Sequence, residues 1–155
     1  MTASVGRIWN PGVMSSVRMD WATPWRILKM LSAEFNFALD ACATPETAVC
    51  KNFFSPPFQD ALSDSWDVFD GSAVWCNPPY GRAIGKWVEK AYRESGHGNT
   101  VVMLLPARTD TQWWHDYCMK GEIRFLRGRL NFDDTRRARA PFPSAIVIFR
   151  PGSSR

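Results

Sequence analysis

The chain reads as an α/β protein with a three-layer, mostly parallel sheet and an antiparallel last strand. Three observations predict this. Short apolar runs alternate with stretches of helical periodicity along most of the chain. Thr100-Val101-Val102-Met103-Leu104-Leu105-Pro106 is an uninterrupted apolar run of the kind buried on both faces of a sheet. Finally, no helical pattern separates the last two apolar runs, so the last strand lacks the crossover that parallel pairing needs.

Residues 1–20 carry Gly6, Asn10-Pro11-Gly12 and Ser15-Ser16 without any period and are expected to form a flexible arm. Trp21-Ala22-Thr23-Pro24 reads as a helix start, with Thr23 as N-cap and Pro24 in the first helical position. Ile27, Leu28, Leu31 and Phe35 carry that helix to about residue 35. A hydroxyl at a helix N-terminus is also suited to a carboxylate ligand. Phe35 to Ala43 then reads as an apolar strand ending in Asp40 and three small residues, Ala41, Cys42 and Ala43. Small side chains there let a ligand approach the backbone, while the simpler reading of Asp40 is a turn cap. Phe53-Phe54 suggests a short strand, Ser55-Pro56-Pro57 a rigid loop, and Ser63 to Gly71 a polar connection.

Ala73-Val74-Trp75-Cys76-Asn77-Pro78-Pro79-Tyr80-Gly81 is the centre of the chain. Its apolar half reads as a buried strand, which Pro78 and Pro79 end because neither donates a backbone hydrogen bond. Ile84, Trp87, Val88 and Ala91 recur at helical spacing, and Gly96-His97-Gly98-Asn99 breaks that helix before the central strand. Thr109 to Lys120 reads as a helix holding Trp113, Trp114, Tyr117 and Cys118, stopped by Gly121. Ile123-Arg124-Phe125-Leu126 and Ser144-Ala145-Ile146-Val147-Ile148-Phe149 are the last strands, joined by an arginine-rich loop with Gly128, Asn131-Phe132 and Pro141.

At 155 residues the chain has room for one core. We place it at residues 21–151, between the arm and a tail at 152–155, with no internal repeat. Hydrophobic residues make up 45% of the chain, but no apolar run nears the ~20 residues of a membrane span. The N-terminus has no apolar signal segment, so a cytosolic protein is expected. Cys42, Cys50, Cys76 and Cys118 show neither C-x-x-C spacing nor paired histidines, which disfavours zinc and a disulfide framework. A net charge of +4 and a pI near 9.1 suit a polyanionic partner. Arg127, Arg129, Arg136, Arg137 and Arg139 concentrate a net +3 between residues 127 and 139. They suit phosphate contacts, or else form a solvated charged loop.

The chemistry suited to Asn77-Pro78-Pro79-Tyr80 is methylation of an amino group on a base. The Asn77 side-chain carbonyl and the Pro78 backbone carbonyl are two acceptors for the two hydrogens of an exocyclic amine. Together they draw its lone pair out of conjugation and towards a methyl donor, while Tyr80 offers a stacking face. The competing reading is a proline-stiffened strand-to-helix loop with a capping asparagine.

Taken in order, Trp21-x-Thr23-Pro24, Leu39-Asp40-Ala41-Cys42-Ala43, Asn77-Pro78-Pro79-Tyr80, Leu104-Leu105-Pro106-Ala107-Arg108-Thr109-Asp110-Thr111, Gly128-Arg129-Leu130-Asn131-Phe132 and Pro143-Ser144 resemble the phage-encoded, Dam-like DNA N6-adenine methyltransferases. The match covers roughly residues 20–150. The resemblance implies a Rossmann-like methyltransferase fold that uses S-adenosylmethionine and no metal, in the cytoplasm of a bacterial host. It implies DNA as partner, either duplex with the base flipped out or single-stranded; the sequence departs from the wider pattern in that no separate target-recognition domain is expected in it.

Thr23 then matches the residue that holds the methionine carboxylate, and Asp40, Ala41, Cys42 and Ala43 the motif beside the methionine moiety. Asp60 matches the acid that accepts from the cofactor's adenine amino group. Asn77, Pro78, Pro79 and Tyr80 match the catalytic loop, and Phe132 would be a second aromatic wall for the target base. The arginine loop would contact phosphates. Rival substrates are cytosine N4, for which a serine in place of Asn77 would be expected, and amino groups of RNA or protein. The rival from another class is a non-catalytic nucleic-acid-binding module that keeps the fold.

Overall fold

The computed structural model describes residues 22–55, 59–132 and 139–152. The expected arm at 1–20, Trp21, Pro56, Pro57, Arg136 and Arg137 lie outside the described residues.

Among the described residues five strands form one mixed sheet: β1 (Phe37–Asp40), β2 (Ala73–Cys76), β3 (Thr100–Pro106), β4 (Glu122–Phe125) and β5 (Ser144–Phe149), in the order β1-β2-β3-β5-β4. The pairs β1/β2 and β2/β3 are parallel, and β5 runs antiparallel to both β3 and β4. The antiparallel last strand is thus present, inserted between its two predecessors. Among the described residues three α-helices accompany the sheet: α1 (Trp25–Ser32), α2 (Ile84–Gly96) and α3 (Gln112–Asp116). α2 supplies the crossover that the parallel pair β2/β3 requires.

Every residue of β2 and of β5 is buried, as is all of β3 beyond Thr100, so the middle of the sheet is covered on both faces. That is the physical meaning of the uninterrupted apolar runs. β4 lies at an edge and buries none of its residues fully. Beyond β1, Phe53 forms an isolated parallel bridge to Asp40, which is what remains of the short strand expected at Phe53-Phe54.

Three local expectations need correction. Pro24 caps α1 from an extended conformation (ψ 131°), so the helix begins at Trp25 and ends at Ser32, three residues earlier than its periodicity suggests. Pro24 O accepts from the amides of Ile27 and Leu28, and the Thr23 hydroxyl makes no cap. The helix expected from Thr109 to Lys120 is split into α3 and a single 3-10 turn, Cys118–Lys120, because Tyr117 (φ −126°, ψ −57°) leaves helical geometry. Lastly, Trp66, in the connection read as polar, is completely buried. Its indole donates to Ala61 O at 2.7 Å, and its amide meets the buried Glu94 carboxylate at 3.3 Å.

Gly121 ends the 3-10 turn hard against β5. A Cβ at this position would stand 2.8 Å from Ile148 O and 2.9 Å from the Phe149 ring. Neither backbone nor a buried ring yields easily, so Gly121→Ala is expected to cost ~1–3 kcal/mol, the range for overpacking. Chemical denaturation checks this; an unchanged midpoint would show that the turn moves freely.

Candidate active site

Topology gathers the loops that matter at one end of the sheet. β1, β2 and β3 run in parallel and end at Asp40, Cys76 and Pro106. β4 points the same way as β3, since both oppose β5: Phe125 faces Ala145, and Pro106 faces Ser144. The segments 41–49, 77–83, 107–111 and 126–143 therefore all leave from the carboxyl end of these strands, where open α/β sheets place ligands. Hydrogen bonds knit their bases together, with Ala107 N donating to Pro143 O at 2.8 Å and Ala41 N to Trp75 O at 2.8 Å.

Asn77 stands directly beyond β2. Its Nδ2 donates to Thr23 Oγ1 at 3.0 Å, across 54 residues of sequence. Two residues singled out separately are thus in contact. The bond engages one of the two amide hydrogens and leaves the carbonyl Oδ1 on the other side of the carboxamide from Thr23. The Thr23 hydroxyl, accepting here, keeps its own hydrogen for a further acceptor.

Pro78 and Tyr80 are buried and Pro79 half-buried. The Tyr80 hydroxyl donates to Leu104 O of β3 at 3.1 Å, and burial holds its phenol far above the ordinary range. Its ring meets Phe132 edge-on (6.3 Å, 84°) and Phe142 likewise (5.6 Å, 72°). The structure brings the two expected base-stacking residues together, but against each other, with Tyr80 5% and Phe132 4% exposed. Phe142 belongs to this cluster and was not singled out from the sequence; a lone phenylalanine between two prolines carries no periodic signal.

Asp40 is buried and holds the loop that follows it. Its two carboxylate oxygens accept from Cys42 N and Val49 N, each at 3.1 Å. This is the turn-cap role in an extended form, spanning nine residues. Desolvation outweighs the two amide hydrogen bonds and pushes the Asp40 carboxyl up to about 7. Ala41 and Ala43 are buried beside it and Cys42 half-buried. All four cysteines are free; burial pushes the thiols of Cys42, Cys50 and Cys118 up to about 12, leaving them unreactive near neutral pH.

Asp60, by contrast, is exposed. Its carboxylate accepts from the Ser63 hydroxyl at 2.7 Å and Leu62 N at 3.1 Å, and the Ser63 bond foremost holds it below the usual range. Arg127, Arg129 and Arg139 line a cleft of about 690 Å³ together with Trp25, Arg26, Gly128 and Asn131. Trp25 and Arg26 were read only as helix; what marks them is exposure, which periodicity does not report.

The Asp40 carboxyl yields a pH prediction. Its folded value of about 7 stands above the ordinary 3.8, so between these values the native chain holds a proton that the unfolded chain has lost. The associated stability is full below the lower value and is lost as pH rises through the upper one. Unfolding free energy is expected to fall between about pH 4 and pH 7, by up to about 1.4 kcal/mol per pH unit, and then to level off. Asp40→Asn should flatten that slope in urea titrations. Equal slopes in both proteins would mean that the carboxyl titrates at its ordinary value.

Comparison with known proteins supplies the family. The family model described as DNA N-6-adenine-methyltransferase (Dam) matches residues 12–154. A DNA N-6-adenine-methyltransferase of Escherichia phage T1 is 36% identical over 100 residues, covering 64% of this chain and 40% of that protein. The chain thus spans about two fifths of the length of this curated relative. The match to the family model takes in nearly the whole chain, including Thr23, Asp40, the Asn77 loop and the arginine segment, and on that ground the chain belongs to the DNA N-6-adenine-methyltransferase (Dam) family.

Proposed function

We propose that this protein transfers the methyl group of S-adenosylmethionine to the exocyclic N6 amino group of adenine in DNA. In this reading residues 21–151 form a three-layer, Rossmann-like catalytic unit that works in the cytoplasm of a bacterial host. The observation that carries the reading is the Thr23–Asn77 hydrogen bond, which fixes the Asn77 carboxamide at the end of β2. Family membership and the name of the phage relative support the same substrate.

The side chains fit the cofactor by their chemistry. The hydrogen of the Thr23 hydroxyl suits the methionine carboxylate. The exposed, ionised Asp60 suits an amino group, and the buried Ala41 and Ala43 keep the loop after β1 free of bulk. Asp40, with both oxygens on backbone amides, acts by holding that loop in shape. When bound, S-adenosylmethionine supplies an electrophilic methyl group on a sulfonium centre.

Asn77 Oδ1 and the Pro78 carbonyl accept the two hydrogens of the target amine and aim its lone pair. Rate then comes from position and electrostatics. Pro79 stiffens the loop, and Tyr80 anchors it to β3 through Leu104 O. The target base enters the Tyr80–Phe132–Phe142 cluster after leaving its stack, or comes from single-stranded DNA.

Nucleoside mass spectrometry of DNA incubated with the protein and S-adenosylmethionine tests this. N6-methyladenine is expected with wild type, and with Asn77→Ala a loss of ~100-fold or more, as for removal of one preorganised polar group. N4-methylcytosine would correct the target base; no methylated base on duplex or single strand would overturn the reading. Asp60→Ala should weaken S-adenosylmethionine binding by ~10-fold or more in calorimetry, the scale of a lost hydrogen bond to a charged group. Unchanged affinity would remove Asp60 from the cofactor site.

A further inference from the structure

Several arginines of this chain are neutralised within it. Arg93 meets Glu89, Arg124 meets Glu34 and Glu122, and Arg150 meets Glu122. The cleft between the start of α1 and the segment that follows β4 is different. Arg26, Arg127, Arg129 and Arg139 all line it and are all exposed, and none of them is ion-paired among the described residues. Among the described residues no carboxylate lines the cleft. Four guanidinium groups on one concave surface, without an ion pair among the described residues, attract an anionic partner from outside.

Trp25, on the same cleft, is 63% exposed, and Lys29 Nζ lies 5.1 Å from its ring centroid, adding a further cation. An exposed indole among arginines is the combination that grips nucleic acid strands, with ring faces for the bases and cations for the phosphates. The position fits as well. Trp25 and Arg26 follow Thr23-Pro24 directly, Thr23 is bonded to Asn77, and Arg127, Arg129 and Arg139 sit on the segment that leaves the same end of the sheet.

We propose that this cleft carries the DNA strand flanking the target adenine, with Trp25 stacked on a neighbouring base and Arg26, Arg127, Arg129 and Arg139 on phosphates. The proposal rests on the function proposed above and adds to it the residues that hold the substrate outside the catalytic loop. Stacking and phosphate contacts leave different signatures. Stacking contributes affinity with little dependence on salt, whereas each phosphate contact steepens the salt dependence.

Fluorescence anisotropy with labelled, adenine-containing oligonucleotides, single- and double-stranded, across a range of salt concentrations separates the two. Trp25→Ala is expected to weaken binding ~5-fold or more, with the slope of log affinity against log salt unchanged. Trp25→Phe should recover most of that loss. Arg129→Gln should reduce the magnitude of the slope by about 1. Wild-type affinity in Trp25→Ala, or an unaltered slope in Arg129→Gln, overturns the proposal, as does tighter binding of RNA of the same sequence. If wild type methylates DNA while both variants bind like wild type, the cleft assignment alone fails. If the variants lose oligonucleotide affinity while wild type forms no methylated base, the methyl-transfer reading fails and the cleft stands.

Discussion

The end of β2 constrains everything built around it. The strand is paired in parallel on both sides and buried throughout, so neither its register nor its faces are negotiable. A slip of one residue would draw Asn77 into the ladder and send Trp75 to the opposite face. Pro78 and Pro79 end the pairing at one place because they offer no amide hydrogen. Asn77 therefore leaves the core at a position set by the core, and its neighbours are fastened to that point. Thr23 takes its amide nitrogen, Tyr80 reaches across to Leu104 O, and Ala41 ties the loop after β1 to Trp75 O.

Much of this architecture can be read from the residues themselves. β3 and β5 coincide with the apolar runs at 100–106 and 144–149, since a strand covered on both faces leaves an unbroken apolar signature. The loop of Asn77 to Tyr80 is equally plain, because proline acts locally. What escaped was decided by contacts distant in sequence. The Thr23 hydroxyl prefers Asn77, 54 residues away, to its own helix. Trp66 is buried through partners on α2 and in its own turn, although aspartates and serines surround it in sequence. Trp25 sits where helical periodicity raises no flag, and only the fold shows that its indole is left outside.

The aromatic cluster sets the energetics of substrate entry in the proposed reaction. Tyr80 packs edge-on against Phe132 and Phe142, which meet each other at a tilt of 52°, each pair contributing about 0.5–1.5 kcal/mol beyond area burial. A base stacked on an aromatic ring returns about 1–3 kcal/mol. Exchanging ring–ring for ring–base contacts is therefore nearly balanced, and the cluster keeps the site dry without locking it. The Tyr80 hydroxyl, held on the backbone of β3, lets its ring serve as the fixed side of that exchange.

The placement of β5 between β3 and β4 has a consequence for how such a protein can diversify. The segment 126–143 starts and finishes at adjacent strand ends, pinned by Phe125 opposite Ala145 and by Ala107 N on Pro143 O. Lengthening a loop whose ends are already held costs little, about 0.6 kcal/mol for each doubling. Insertions there would add surface beside the cleft and leave the five strands untouched. If this segment meets the substrate's flanks as proposed, sequence preference can change through such insertions while its buried residues Leu130, Phe132 and Ala140 keep it anchored to the core.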